Sequence, residues 1–147
     1  DLSVSGTYVL NREQSVSATA ALVDDRIAGF SRLSLRAVAG AQIGKLRAQA
    51  TWSHTAGFDI NPVLAGLAPF YPDQSHIGAF DTVDLFFKYN FEGEGISKDL
   101  SLTLGINNLF DKDPPVRYVG GSVPSQFGYA NGSTVGRLVQ IGFSKKF

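Results

Sequence analysis

The sequence predicts an all-β chain, an antiparallel up-and-down meander of about six long strands, and three observations carry that expectation. Apolar and polar residues alternate with period two in six separate segments, as in strands whose two faces meet different media. The connections between those segments are alternately long and short. Only 18% of the 147 residues are charged, while Gly (16), Phe (11) and Tyr (5) are plentiful, a shift towards strands joined by Gly-rich turns.

In the first segment Leu2, Val4, Tyr8 and Leu10 alternate with Ser3, Ser5, Thr7 and Asn11. The second sets Leu33, Leu35, Ala37 and Ala39 against Arg32, Ser34, Arg36 and Val38. The third sets Leu46, Ala48, Ala50 and Trp52 against Lys45, Arg47, Gln49, Thr51 and Ser53. In the fourth, Val83, Leu85, Phe87, Tyr89 and Phe91 interleave with Thr82, Asp84, Phe86, Lys88 and Asn90, and only Phe86 breaks the polar side. Leu100, Leu102, Leu104 and Ile106 alternate with Ser101, Thr103, Gly105 and Asn107 in the fifth. The sixth opposes Val135, Val139, Ile141, Phe143 and Phe147 to Thr134, Gly136, Gln140, Gly142, Ser144 and Lys146; Arg137 and Lys145 interrupt its apolar side and Leu138 its polar one.

The connections at 13–31, 57–79 and 111–133 are long, and those at 40–44 and 92–98 are short. Structureless loops beyond about 12–15 residues are uncommon in ordinary domains, but transmembrane barrels alternate short periplasmic turns with long extracellular loops. Strand length agrees: a tilted membrane strand needs about 9–11 residues, whereas soluble strands have a mode near 5–6. In a bilayer the apolar side would face lipid and the polar side a wet lumen. A soluble lipocalin-like barrel would turn the apolar side inward, and would stay soluble without detergent. Six strands are too few for a membrane barrel, the smallest of which has about eight. Either a hairpin is hidden within 61–76 or the chain is the carboxy-terminal part of a larger barrel, and a strand starting directly at Asp1 favours the latter.

Other classes are excluded by composition. Thirteen basic residues balance thirteen acidic ones and the longest basic run is Lys145-Lys146, which leaves no electrostatic footprint for nucleic acid. With no Cys and only His54 and His76, neither a disulfide scaffold nor a Cys- or His-based metal cluster is expected. No run of about 18 apolar residues exists for a transmembrane helix. Residues 1–5 lack the basic and apolar regions of a signal peptide. Ser53 and His54 are adjacent, so on a strand they face opposite ways and cannot couple as nucleophile and base. Asp24-Asp25 and Glu92/Glu94 lack calcium-loop spacing, Gly93-Glu94-Gly95 lacks the context of a phosphate loop, and Asn131-Gly132-Ser133 reads as turn chemistry. No catalytic residue, metal or cofactor is expected, and the chain is not read as an enzyme.

One stretch is more specific: Leu104-Gly105-Ile106-Asn107-Asn108-Leu109-Phe110-Asp111-Lys112, then an irregular loop, then Gly136-Arg137 opening a last strand that ends in Phe147. Asn tolerates left-handed backbone and caps turns, and Pro114-Pro115 stops the ladder. Over about Leu100 to Phe147 the chain resembles the carboxy-terminal end of TonB-dependent outer-membrane receptors, with Asn107, Asn108, Leu109, Phe110, Asp111, Gly136 and Arg137 carrying the motif. Gln140, Gly142 and Phe147 look like the signal read by the barrel-assembly machinery, although Lys145 stands where an apolar residue is usual.

The resemblance implies a 22-stranded barrel in the bacterial outer membrane, of which residues 1–147 would supply three hairpins. It implies a plug inside the barrel, energy delivered by TonB, and import of a scarce small-molecule nutrient such as a siderophore or another metal chelate. The plug and the TonB-contacting box lie towards the amino terminus in that family, so this portion is not expected to transport alone. Arg36, Arg47, Asp84 and Lys88 would line the lumen and meet plug and water. Tyr8, Trp52, Phe80, Tyr89 and Phe91 would form interfacial girdles. Phe58, Phe70, Tyr71, Tyr118, Phe127 and Tyr129 lie in loops, where they suit capture of an apolar or ring-bearing ligand or pack the loops against one another. The alternative is a complete small eight-stranded outer-membrane barrel with a structural or adhesive role. On the membrane reading Leu102→Arg places a charge at mid-membrane and costs a few kcal/mol of insertion into vesicles, and Thr103→Arg much less.

Overall fold

The structure is a computed structural model that describes residues 1–14, 18, 23–24, 30–60, 74–95, 98–119, 125–128 and 135–145. In chain order its strands are β1 (Leu2–Tyr8), β2 (Glu13–Gln14), β3 (Val23–Asp24), β4 (Leu33–Ile43), β5 (Leu46–Thr55), β6 (Phe58–Asp59), β7 (His76–Ile77), β8 (Phe80–Asn90), β9 (Leu100–Asn107), β10 (Val116–Val119), β11 (Ser125–Gly128) and β12 (Leu138–Lys145). No helix occurs among the described residues. The six longer segments expected from alternation form one antiparallel sheet in the order β1-β4-β5-β8-β9-β12. Each strand pairs with its neighbour in the meander, and β1 and β12 are the two edges.

The register turns the alternation of single strands into two continuous faces. Leu2, Ala39, Ala50, Leu85, Ile106 and Val139 stand directly opposite one another across all six strands. Ala41, Ala48, Phe87, Leu104 and Ile141 form the next row, and Ile43, Leu46, Tyr89, Leu102 and Phe143 the one beyond it. Between them run the rows of the other face, Gly40-Gln49-Phe86-Gly105-Gln140 and Gln42-Arg47-Lys88-Thr103-Gly142. No second layer covers the apolar face among the described residues: Leu2 is 76%, Ile43 75% and Phe143 83% exposed.

Several details differ from the expectation. Gly40 to Ile43 continue β4, so the first short connection is only Gly44-Lys45, with Ile43 opposite Leu46. Gly44 takes φ +58° at the first position of this two-residue loop, where the twist of a hairpin favours positive φ. The long connections are not structureless, because each contains a short antiparallel pair: β2 with β3, β6 with β7, and β10 with β11. These ladders are two to four residues long, too short to span; residues 61–73, most of the stretch that could hold a further hairpin, lie outside the described residues. Leu102 is not midway along the apolar face; it shares a row with Tyr89 and Phe143 near the short-turn end. The middle of the face is the Leu85 and Ile106 row.

Among the described residues the buried apolar side chains are Phe58, Ile60, Ile77 and Phe80, all at the base of the second long connection. Phe80 is therefore not an interfacial girdle residue. Its partner in the ladder is Thr55, which puts it on the polar-face parity. Gly57 is required beside this cluster, since a Cβ there would lie 2.5 Å from the Ile77 carbonyl oxygen and 3.1 Å from the Ala79 nitrogen. Neither backbone atom can swing aside. Gly57→Ala should cost about 1–3 kcal/mol locally, measured as faster limited proteolysis within 57–79 while the six-stranded sheet stays resistant; unchanged cleavage would mean that this base yields without cost.

Candidate functional site

Chemistry-bearing residues gather where the three long connections leave the sheet. The Asn108 turn is the most densely bonded of these places. After β9 ends at Asn107, Asn108 takes φ +50° and Asp111 φ +54°, the left-handed conformation that Asn and Asp accept more readily than other side chains. The Asn108 amide closes the turn on itself: Nδ2 donates to the Lys112 carbonyl at 2.9 Å, and Oδ1 accepts from the Lys112 nitrogen at 3.0 Å. The Asn108 nitrogen donates to Asp84 Oδ1 at 2.8 Å, and the Leu109 nitrogen donates to the Val83 carbonyl at 2.8 Å. Both bonds tie the turn to β8. Asp111 Oδ1 accepts from the Arg137 nitrogen at 2.6 Å, and Arg137 Nη1 donates to the Leu109 carbonyl at 3.4 Å. Among the motif residues the large apolar Phe110 is 72% exposed. The motif thus joins the end of β9 and the residues before β12 to β8.

Directly beneath, the polar face holds a cavity of about 470 Å³ lined by Ser53, Thr55, Thr82, Asp84, Asn107 and Asn108, with Phe80, Val135, Gly136 and Leu138 completing its wall. A second hollow of about 240 Å³ adjoins it, sharing Asp84 and Asn107 and reaching Arg36, Gln49 and Gln140. Hydroxyl, amide and carboxylate groups here can hydrogen-bond a partner on that face. Arg36, Arg47, Asp84 and Lys88 all fall on the polar-face parity, opposite Ser53, Lys88, Thr51 and Thr103 in the ladders. Asp84 is committed to the Asn108 turn, and Arg47 lies 3.6 Å from Asp1. Arg36 and Lys88 have no ion-pair partner among the described residues.

On the opposite face, at the same end, a polar cluster interrupts the apolar surface. His54 and Asp81 are ladder partners, with His54 Nδ1 2.8 Å from Asp81 Oδ1. Trp52 Nε1 donates to the same oxygen at 3.1 Å, and Lys112 Nζ lies 3.8 Å from Oδ2. The Trp52 and His54 rings stack at 5.6 Å. This cluster escapes a reading of the sequence alone, because 27 residues separate His54 from Asp81 and only the β5–β8 register brings them together. Ser53 lies across from Arg36 and Thr82, on the other face from His54, as the strand argument requires.

Near the chain end, Gly142 stands opposite Thr103, whose Oγ1 donates to the Gly142 carbonyl at 3.1 Å. A Cβ on Gly142 would come within 2.7 Å of that hydroxyl. Ser101 and Ser144 hydroxyls pair at 3.0 Å, and Gln140 stands opposite Gly105. Phe70, Tyr71, Tyr129 and Phe147 lie outside the described residues. Tyr118 and Phe127 fall in the β10–β11 ladder, opposite Gln126 and Arg117. Phe58 is buried at the base of its loop. Tyr89 and Phe91 make a T-shaped pair at 4.8 Å at the short-turn end, while Tyr8 and Trp52 stand towards the other. No group of metal-ligating side chains occurs among the described residues. Compared with family models, curated proteins and solved structures, the chain matches none.

The Gly142 contact is testable. Gly142→Ala should displace the Thr103 hydroxyl and forfeit its hydrogen bond, costing about 1 kcal/mol, read as a lower urea midpoint. In a Thr103→Ala background, which already lacks that hydrogen bond and the obstructing hydroxyl, Gly142→Ala should lower the midpoint little further.

Proposed function

We propose that the chain is the carboxy-terminal portion of the transmembrane barrel of a TonB-dependent outer-membrane receptor. The observation that carries this reading is the uncovered apolar face, in register across all six strands, on a sheet whose edges do not meet. A bilayer covers such a face, and further strands satisfy such edges. On β4 the apolar side runs from Leu33 to Ile43; at about 3.4 Å per residue that is roughly 34 Å along the strand, or about 26 Å once tilted by about 40°. The outward apolar band of such barrels is about 25 Å tall. The Asn108 to Asp111 motif and the Gly136-Arg137 pair just before β12 support the family assignment through residues alone.

In this reading the end with long connections is extracellular and the Gly44-Lys45 end periplasmic. The polar face and its two hollows look into the lumen, where Arg36 and Lys88 meet the plug. The parent protein binds a scarce nutrient outside and imports it past the plug with TonB-supplied energy. The second reading, a complete eight-stranded barrel, needs two further spanning strands. The described parts of the connections hold only the short ladders.

The intact mass of the polypeptide that carries this carboxy terminus, captured from outer membranes, tests the assignment. Scaling six strands in 147 residues to 22 gives roughly 540 residues, about 58 kDa before any plug. A mass above that supports the receptor, and one near 15.8 kDa removes it. Facing is tested separately. Leu85→Arg, in the middle row, should cost about 2–4 kcal/mol of insertion into lipid vesicles, Leu102→Arg about 0–1 kcal/mol at the rim, and Gln49→Arg on the polar face little. Equal insertion of all three would overturn the lipid-facing assignment.

A further inference from the structure

The pairing of β9 with β12 is underdetermined by hydrophobic pattern. A one-residue slip would throw every side chain of β12 to the wrong face, but a two-residue slip keeps every side chain on the face it already occupies. It would set Ile141 against Ile106 in place of Val139, and Gln140 against Asn107 in place of Leu138. In β4–β5 the two-residue turn removes this freedom, since loop length dictates register there. The β9–β12 connection cannot do so. Asp111 and Arg137 are 26 positions apart, and a loop of that length closes at nearly the same entropic cost in either register.

We infer that the Asn108–Asp111 turn stands in for the missing tight turn and sets the register of the terminal strand. The turn is anchored independently of β12, by Asp84 Oδ1 and the Val83 carbonyl on β8 and by the two Asn108 amide bonds around Lys112. From that fixed platform Asp111 Oδ1 takes the Arg137 nitrogen at 2.6 Å, one residue before β12 begins. Gly136 permits the approach, because a Cβ there would lie 2.6 Å from the same oxygen. A two-residue slip moves Arg137 by about 7 Å along the strand, out of hydrogen-bond range, and also separates Thr103 from Gly142 and Ser101 from Ser144. Asp111 is therefore a positioning residue for β12, and Asn108 the positioning residue for Asp111. The inference does not depend on the membrane reading.

Cysteine pairs report the register, since the 147 residues contain no Cys. In the full-length protein, Asn107→Cys with Leu138→Cys tests the native pairing, and Asn107→Cys with Gln140→Cys and Gly105→Cys with Leu138→Cys test the two slips. Cross-linked peptides are quantified by mass spectrometry after mild oxidation. The parent background should give the 107–138 link almost alone. Asp111→Leu should raise the ratio of slipped to native links about tenfold or more, the population change expected on losing a charge-assisted hydrogen bond. Asp111→Asn, which keeps an acceptor oxygen, should hold the native link, as should the exposed Phe110→Ala in the same turn. An unchanged ratio in Asp111→Leu overturns the inference. So does loss of all three links, which would make Asp111 a requirement for pairing itself and not for its register.

Discussion

Every feature of this chain rests on the direct opposition of like side chains across an antiparallel ladder. Alternation within one strand divides that strand into two faces, but it builds a surface only if each neighbour is paired in phase. Here the phase is kept five times in succession. The result is a sheet with an apolar side, broken only at the long-connection end by the His54–Asp81 cluster, and a polar side that carries hydroxyls, amides and a few charges. The exposed apolar side dominates the energetics. Each large apolar residue left in water forfeits about 1.5–3 kcal/mol relative to burial, and several on this face are largely exposed.

Keeping the phase is a problem of connections. The Gly44-Lys45 turn solves it locally, with a positive φ that only a residue like Gly adopts freely. The three long connections each meet it with contacts at the point where the chain leaves the sheet. Between β1 and β4 the Val9 nitrogen donates to the Arg32 carbonyl, and the Arg32 guanidinium lies over the Tyr8 ring. Between β5 and β8, His54 and Trp52 meet Asp81, with the Phe58, Ile60, Ile77 and Phe80 cluster just beyond. Between β9 and β12 the Asn108 turn holds Arg137. Gln74 Nε2 also donates to the Val116 carbonyl, which links the second long connection to the third. The end that carries the long connections is therefore tied together at its base by contacts between distant residues.

The legibility of these features follows their range in the chain. Strand number and facing depend on neighbours two residues apart, so they appear in sequence, as in Val83 to Tyr89 against Thr82 to Lys88. The left-handed Asn108 and the strand stop before Pro114 are equally local. Phe80 and Leu102 illustrate the limit. Phe80 already stands in the parity of Thr82 and Asp84, but only the fold shows it buried, and Leu102 looks central until Tyr89 and Phe143 fix its row. The His54–Asp81 pair and the Asp111–Arg137 bond join residues 27 and 26 positions apart, and no local pattern predicts such a meeting.

The amino-acid sequence by itself determined an all-β chain of six long alternating strands, the unequal connections, the absence of cysteine chemistry, and a motif of named residues near the carboxy terminus. Those properties are written in residue type and short spacing, where side-chain direction and backbone preference act without help from distant partners. Tertiary structure alone decided which rows face each other, where the middle of the apolar face lies, which polar groups gather beneath the Asn108 turn, and how the last strand is held in place. The physical reason is that register is a property of pairs of strands. A two-residue shift leaves every strand's own pattern intact and changes every partner, so only contacts between distant residues can choose among the alternatives.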